Sequence, residues 1–259
     1  MTGWEIAAFL LCVAVATCAQ SITGFALALI LLGLTGLFEL APLADVANVA
    51  TVMALCTAVI ALRGTHDSLD WPMMRWTVTG SVFGVAAGVA LLAWLSSNVV
   101  MALRLLLGLV VIACAIVVLV RAHPLPQRSS AASFHGFGFL SGVLGGLFSA
   151  SGPPLVYQFY RQPLALDAVR DTLGATLAAG GVIRLVMVVA SGQFSLRSLW
   201  LSALAVPLAM AITWWLRRHP PAWRRETVLK VVCVLLVITG VGLIAPAAQA
   251  LWPWARMGA

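Results

Sequence analysis

A chain of 259 residues that is 62% hydrophobic and only 9% charged lacks the polar cover a soluble domain of this size needs, so it reads as an all-α polytopic membrane protein. Its net charge of +7 does not point to nucleic acid: the cations gather at the ends of apolar segments, with no basic stripe alternating with exposed aromatics. At roughly 20 apolar residues per crossing, the length holds about eight segments, short loops and no separate soluble domain.

The first apolar segment, Trp4 to Phe38, has no Lys or Arg before it and runs past any plausible cleavage point, so it is expected to stay in the mature chain. It is interrupted by QSITGF at residues 20–25. There Gln20 and the hydroxyls of Ser21 and Thr23 can donate hydrogen bonds, Gly24 admits close backbone approach, and Phe25 closes the break. The second segment, Pro42 to Leu62, opens with Asp45 and Asn48; Trp71 to Leu95 and Val99 to Val120 follow. The sizeable polar interruption at Arg121 to Ser133, RAHPLPQRSSAAS, then divides the chain. We expect a first membrane repeat at 1–122, a cytoplasmic linker at 123–133 and a second membrane repeat at 134–259.

The fifth segment, Phe134 to Tyr160, carries the second break, SASGPP at 149–154. A Gly followed by two prolines ends one helix and preorganises the start of another. A helix start within the bilayer leaves N–H groups without partners. These N–H groups, with the positive end of the helix dipole and the hydroxyls of Ser149 and Ser151, form a ready site for an anion. The competing reading is that small residues here serve helix packing. Gly142, outside the break, is expected to tolerate a side chain better than Gly152.

The sixth segment, Leu164 to Ala190, opens with Asp167, Arg170 and Asp171 and holds Arg184 between apolar neighbours. Acids near a helix start serve as caps and dipole partners more often than as proton carriers. A cation as deep as Arg184 is costly and functional by default, and the alternative is that its long stem snorkels to the interface. Segments Leu196 to Leu216 and Val228 to Leu251 complete the chain.

The two halves correspond: an interrupted segment, a short turn, then a segment opening with polar residues. Paired interruptions at equivalent positions point to a transport site. If all eight segments cross, the loop cations divide eight to six. If the interrupted segments turn back as re-entrant hairpins, Arg63, Arg75, Arg121, Arg128, Arg161, Arg170, Arg217, Arg218, Arg224, Arg225 and Lys230 share one side, leaving Arg104, Arg197 and Arg256 on the other. Cytoplasmic loops favour Lys and Arg, so the hairpin arrangement fits better; it makes the halves inverted, with both termini outside. The short arm from Pro154 to Arg161 counts against it.

No catalytic constellation is visible. The four histidines (His66, His123, His135, His219) lie at segment ends, and the five cysteines sit in apolar segments without metal or thiol-motif spacing. No enzyme activity, metal or cofactor is expected.

QSITGFALALILLGL, the ADVAN segment, LRGTHDSLDW, GFLSGVLGGLFSASGPPLVYQFY and VRDTLGATLAAGGVIRL together resemble the sulfite exporter TauE/SafE family over roughly Trp4 to Pro246. The likeness is closest to the branch whose breaks read Q-x-x-x-G-F and x-G-P-P, matched by Gln20, Gly24 and Phe25 and by Gly152, Pro153 and Pro154. The larger branch has consecutive glycines at the first break, where this chain keeps Gly24 alone. The resemblance implies a bacterial inner-membrane permease for sulfite, organosulfonates or related organic anions. Its partners would be a small anionic substrate and membrane lipid. Gln20, Ser21, Gly24, Phe25, Ser149, Ser151, Gly152, Pro153 and Arg184 are the expected substrate contacts. Export is favoured over uptake, because an interior-negative potential drives anions out. The alternatives are a non-transporting membrane partner or assembly subunit, or uptake of an organic anion.

Overall fold

A computed structural model describes residues 3–23, 25–62, 69–98, 100–119, 125–219 and 233–244. The helices are α1 (Gly3–Thr23), α2 (Leu27–Leu37), α3 (Leu43–Ala61), α4 (Trp71–Asn98), α5 (Val100–Leu119), α6 (Ala131–Phe148), α7 (Gly152–Tyr160), α8 (Leu166–Ala190), α9 (Leu196–Arg218) and α10 (Cys233–Ile244). No strand occurs among the described residues. Six of the helices are long and apolar enough to cross a membrane. Helices are the expected outcome, since hydrocarbon offers backbone groups no partner outside their own segment.

Both interrupted segments break where the small and polar residues fall, and each folds back on itself. Along α6 and α7, Gln158 Nε2 donates to Ser133 Oγ at 3.1 Å, Phe159 packs edge-on to Phe134, and Ser141 Oγ donates to the carbonyl of Ser151 at 2.7 Å. This ladder is that of an antiparallel hairpin, so the short arm after Pro154 does return. Ser149 ends α6 in the left-handed region at φ 57°, and Ser130 caps its start by accepting from the Ser133 N–H. In the other half α1 and α2 pack together, with Gln20 beside Thr57 near the far end of α3 while α2 leads back to the start of α3. The hairpins therefore enter from opposite ends of the helix stack.

Hydrogen bonds identify those ends. At one, Asp70 pairs with Arg128 and its N–H donates to Thr172 Oγ1 at 2.9 Å, Leu125 N–H donates to the Arg161 carbonyl at 2.8 Å, and Arg217 donates to the Ile60 carbonyl. At the other, Glu39 pairs with Arg104, and Asp45 accepts from Ser195 and Ser198. Arg75, Arg128, Arg161, Arg170, Arg217 and Arg218 thus lie toward the first end, Arg104 and Arg197 toward the second. Arg63, Arg121, Arg224, Arg225, Lys230 and Arg256 lie outside the described residues.

A glycine seam joins the halves. α4 and α6 run parallel in close contact, with Gly80, Gly84 and Gly88 on one side and Gly138, Gly142 and Gly146 on the other. A Cβ on Gly84 would lie 2.2 Å from the Phe139 carbonyl oxygen, and one on Gly142 would lie 2.5 Å from that of Ser81. Backbone cannot yield as a side chain can, which corrects the expectation for Gly142: it is a packing glycine that admits no substituent.

Candidate functional site

The two breaks meet. A Cβ built on Gly152 would lie 2.6 Å from Phe25 Cβ, so the start of α7 abuts the residues that precede α2. Beside this contact is a cavity of about 230 Å³ bordered by α1, α2, α3, α8, α9 and both breaks. It extends from Arg184 and Thr51 toward the cation-rich end, where Leu62, Thr213 and Arg217 border it. Of the residues singled out from sequence, Gln20, Ser21, Phe25, Ser149, Ser151, Gly152 and Arg184 all border it. Pro153 is buried but does not, and Gly24 lies outside the described residues.

Arg184 dominates the electrostatics. It is 1% exposed, so it does not snorkel. Its Nε donates to the Gly146 carbonyl at 3.1 Å, and its Nη1 donates to Asn48 Oδ1 at 3.1 Å and Thr51 Oγ1 at 2.7 Å. Every acceptor is neutral, and Nη2 is buried with no partner. A guanidinium taken out of water without a carboxylate is expensive, and one held that way by acceptors on α3 and α6 beside a cavity is poised for an external negative charge.

The helix starts add to this field. α2 presents Leu27 and Ala28 to the cavity and α7 presents Gly152, so two positive dipole ends converge there. Pro153 and Pro154 carry no N–H, which leaves Gly152 as the donor of α7's first turn. Ser151 Oγ makes no hydrogen bond among the described residues and does not cap α7. Ser149 Oγ lies 3.0 Å from Thr51 Oγ1.

Two expected donors are turned elsewhere. Gln20 Nε2 donates to Thr57 Oγ1 at 3.4 Å, and Ser21 Oγ donates to the Thr17 carbonyl at 2.9 Å, so each directs a hydrogen to its own surroundings rather than into the cavity. Asp45 does not cap α3, whose start has no side-chain cap; it instead accepts from Ser195 Oγ at 2.5 Å and Ser198 Oγ at 2.8 Å. Asn48 Nδ2 donates to Ser198 Oγ at 3.3 Å and to the Gln193 carbonyl at 3.1 Å. A polar chain therefore runs from Arg184 through Asn48 and Ser198 to Asp45, tying α3, α8 and α9 together at the cation-poor end.

Residues 9–243 match the family described as Sulfite exporter TauE/SafE. The chain belongs to the sulfite exporter TauE/SafE family. A curated relative, the "Probable sulfite/organosulfonate exporter TauE" of Cupriavidus necator, is 34% identical over 231 residues, which cover 89% of this chain and 90% of the relative. No solved structure matches.

In this TauE/SafE family member, Thr51, Thr57 and Gly180 also border the cavity, though none stood out in the sequence. Asn48 and Thr51 are one turn apart on α3, and a polar pair at that spacing in an otherwise apolar helix was the available signal. Gly180 is buried, yet a Cβ there would meet nothing within 4 Å: the space beside it is the cavity itself.

Proposed function

We propose that this multi-pass membrane protein is a permease that exports a small sulfur-containing or organic anion, sulfite or an organosulfonate, across a bacterial inner membrane. The observation that carries this reading is Arg184, buried without a counter-charge at a cavity where two helix N-termini converge. The name of the Cupriavidus necator relative, a probable sulfite/organosulfonate exporter, supports the substrate class. The anion would take its charge compensation from Arg184 and its hydrogen bonds from the Gly152 N–H and the Ser151 hydroxyl. Donors fixed in place before binding need no reorganisation when the anion sheds water. The cation-rich end is the cytoplasmic one in this reading, with the 123–133 linker on that side and the two halves inverted. The cavity then faces the cytoplasm, and an interior-negative potential favours exit by about 2.3 kcal/mol per charge per 100 mV.

Purified protein in vesicles, tested against labelled sulfite, sulfonates and carboxylates, checks the proposal. Sulfite or a sulfonate should leave faster than from protein-free vesicles, and faster still with an imposed interior-negative potential. If none of these anions moves faster than in protein-free vesicles, the reading is wrong.

A further inference from the structure

The α1 wall of the cavity differs in chemistry from the wall built by α7 and α8. Thr57 Oγ1 has one hydrogen, and it is directed to the carbonyls of Met53 at 2.9 Å and Ala54 at 3.0 Å. Toward Gln20 the threonine oxygen can therefore only accept, which fixes the NH2 side of the Gln20 amide against it and turns Oε1 the other way. Oε1 is buried and has no partner. Beside it, the Ser21 hydroxyl directs its hydrogen to the Thr17 carbonyl, so toward the cavity its oxygen too offers lone pairs. Across the cavity stand donors: Arg184, with Nη2 unpartnered, the Gly152 N–H and the Ser151 hydroxyl.

An anion made only of acceptor oxygens satisfies the donor wall and leaves Gln20 Oε1 desolvated and empty. We propose that the ligand suited to this cavity is an anion carrying its own O–H or N–H donor, with its charge toward Arg184 and its donor toward Gln20 Oε1, as in a hydroxyalkyl- or aminoalkylsulfonate or a monoprotonated oxyanion. This rests on the anion-permease reading above. Gln20 is on this account a specificity residue: it does not hold the charge but discriminates between anions of equal charge. Thr57 is the positioning residue that sets the amide.

The test is competition against labelled sulfite efflux from vesicles holding the full chain, using 2-hydroxyethanesulfonate and ethanesulfonate, which share a charge and differ by one hydroxyl. In the wild type the hydroxylated anion should compete at roughly tenfold lower concentration, the scale of pairing one buried acceptor. Gln20→Leu should bring the two competitors within about twofold of each other, the size of a lost hydrogen bond being then absent. Thr57→Val, which leaves Gln20 in place and frees its amide to turn, should narrow the difference as well and guards against a Gln20 variant that fails to fold. Equal competition in the wild type, no competition by either sulfonate, or a preference that survives Gln20→Leu overturns the proposal while sulfite efflux keeps the permease reading intact. Absence of sulfite efflux itself removes both.

Discussion

Replacing Arg184 by Gln separates two effects that the structure sets against each other. The guanidinium makes three hydrogen bonds, to Gly146, Asn48 and Thr51, worth about 1.5 to 3 kcal/mol each when the donor is charged. Holding a cation out of water costs several kcal/mol in the other direction. Because these oppose, Arg184→Gln should leave the fold close to wild-type stability. The ligand has no such compensation: a unit charge about 4 Å from the guanidinium, at an effective dielectric of about 20, gains about 4 kcal/mol. Since every ~1.4 kcal/mol is a factor of ten, apparent affinity should fall by roughly a thousandfold. Arg184→Lys keeps the charge but not the planar fork, and should retain part of the affinity. Sulfite flux in vesicles is one readout. Thermal melting with and without anion is the other, since a ligand at a hundred times its Kd stabilises the wild type by about 2.7 kcal/mol and should leave the Gln variant unmoved. Wild-type flux together with a wild-type anion-induced shift in Arg184→Gln would refute the counter-ion role.

Three further outcomes follow from the geometry. Gly152→Val should reach the membrane in larger amount than Gly142→Val yet lose transport, because the nearest atoms its Cβ meets belong to the Phe25 side chain at the meeting of the two breaks, whereas those met by the Gly142 Cβ are backbone; comparable abundance of the two variants would undo this contrast. Gly180→Leu should fold at least as well as wild type, by up to about 1 kcal/mol from helix propensity, and cut flux at least tenfold by filling the cavity; unchanged flux would mean the cavity is not on the path. Reporter fusions should place Ser130 in the cytoplasm, and a periplasmic signal from that position would reverse the orientation proposed here.

What the sequence made legible divides along physical lines. The breaks at residues 20–25 and 149–154 could be located because Gly, Pro and Ser interrupt apolar runs, and local backbone chemistry is written locally. That they turn back was legible only indirectly, through cation placement, since antiparallel pairing of Ser133 with Gln158 depends on tertiary contact. Arg184 was visible as a charge out of place, but its inward course depended on Asn48 and Thr51, residues of another helix far away in the chain. Gln20 and Ser21 could be found as residues, but where their hydrogens point could not be read, because that is settled by the nearest acceptors in the fold. The spacing of Gly138, Gly142 and Gly146 could be read directly; that α4 supplies the partner surface could not.

The α4–α6 seam also limits how this protein can move. Transporters built from two halves are commonly pictured as rocking one half against the other about a fixed site. Here α4 comes from the first half and α6 from the second, and at the six seam glycines each helix meets the other's backbone, so no side chain stands there to repack into a second arrangement. Glycines recur every four residues on both helices, so intermediate offsets would drive side chains into the facing backbone. The offset that restores glycine against carbonyl is a slide of four residues, about 6 Å at 1.5 Å each and slightly more than one helical turn. The seam is therefore a detent with discrete positions: either it stays locked and the transport stroke is carried by the hairpin tips and by α3, α8 and α9, or the halves shift in whole-turn steps.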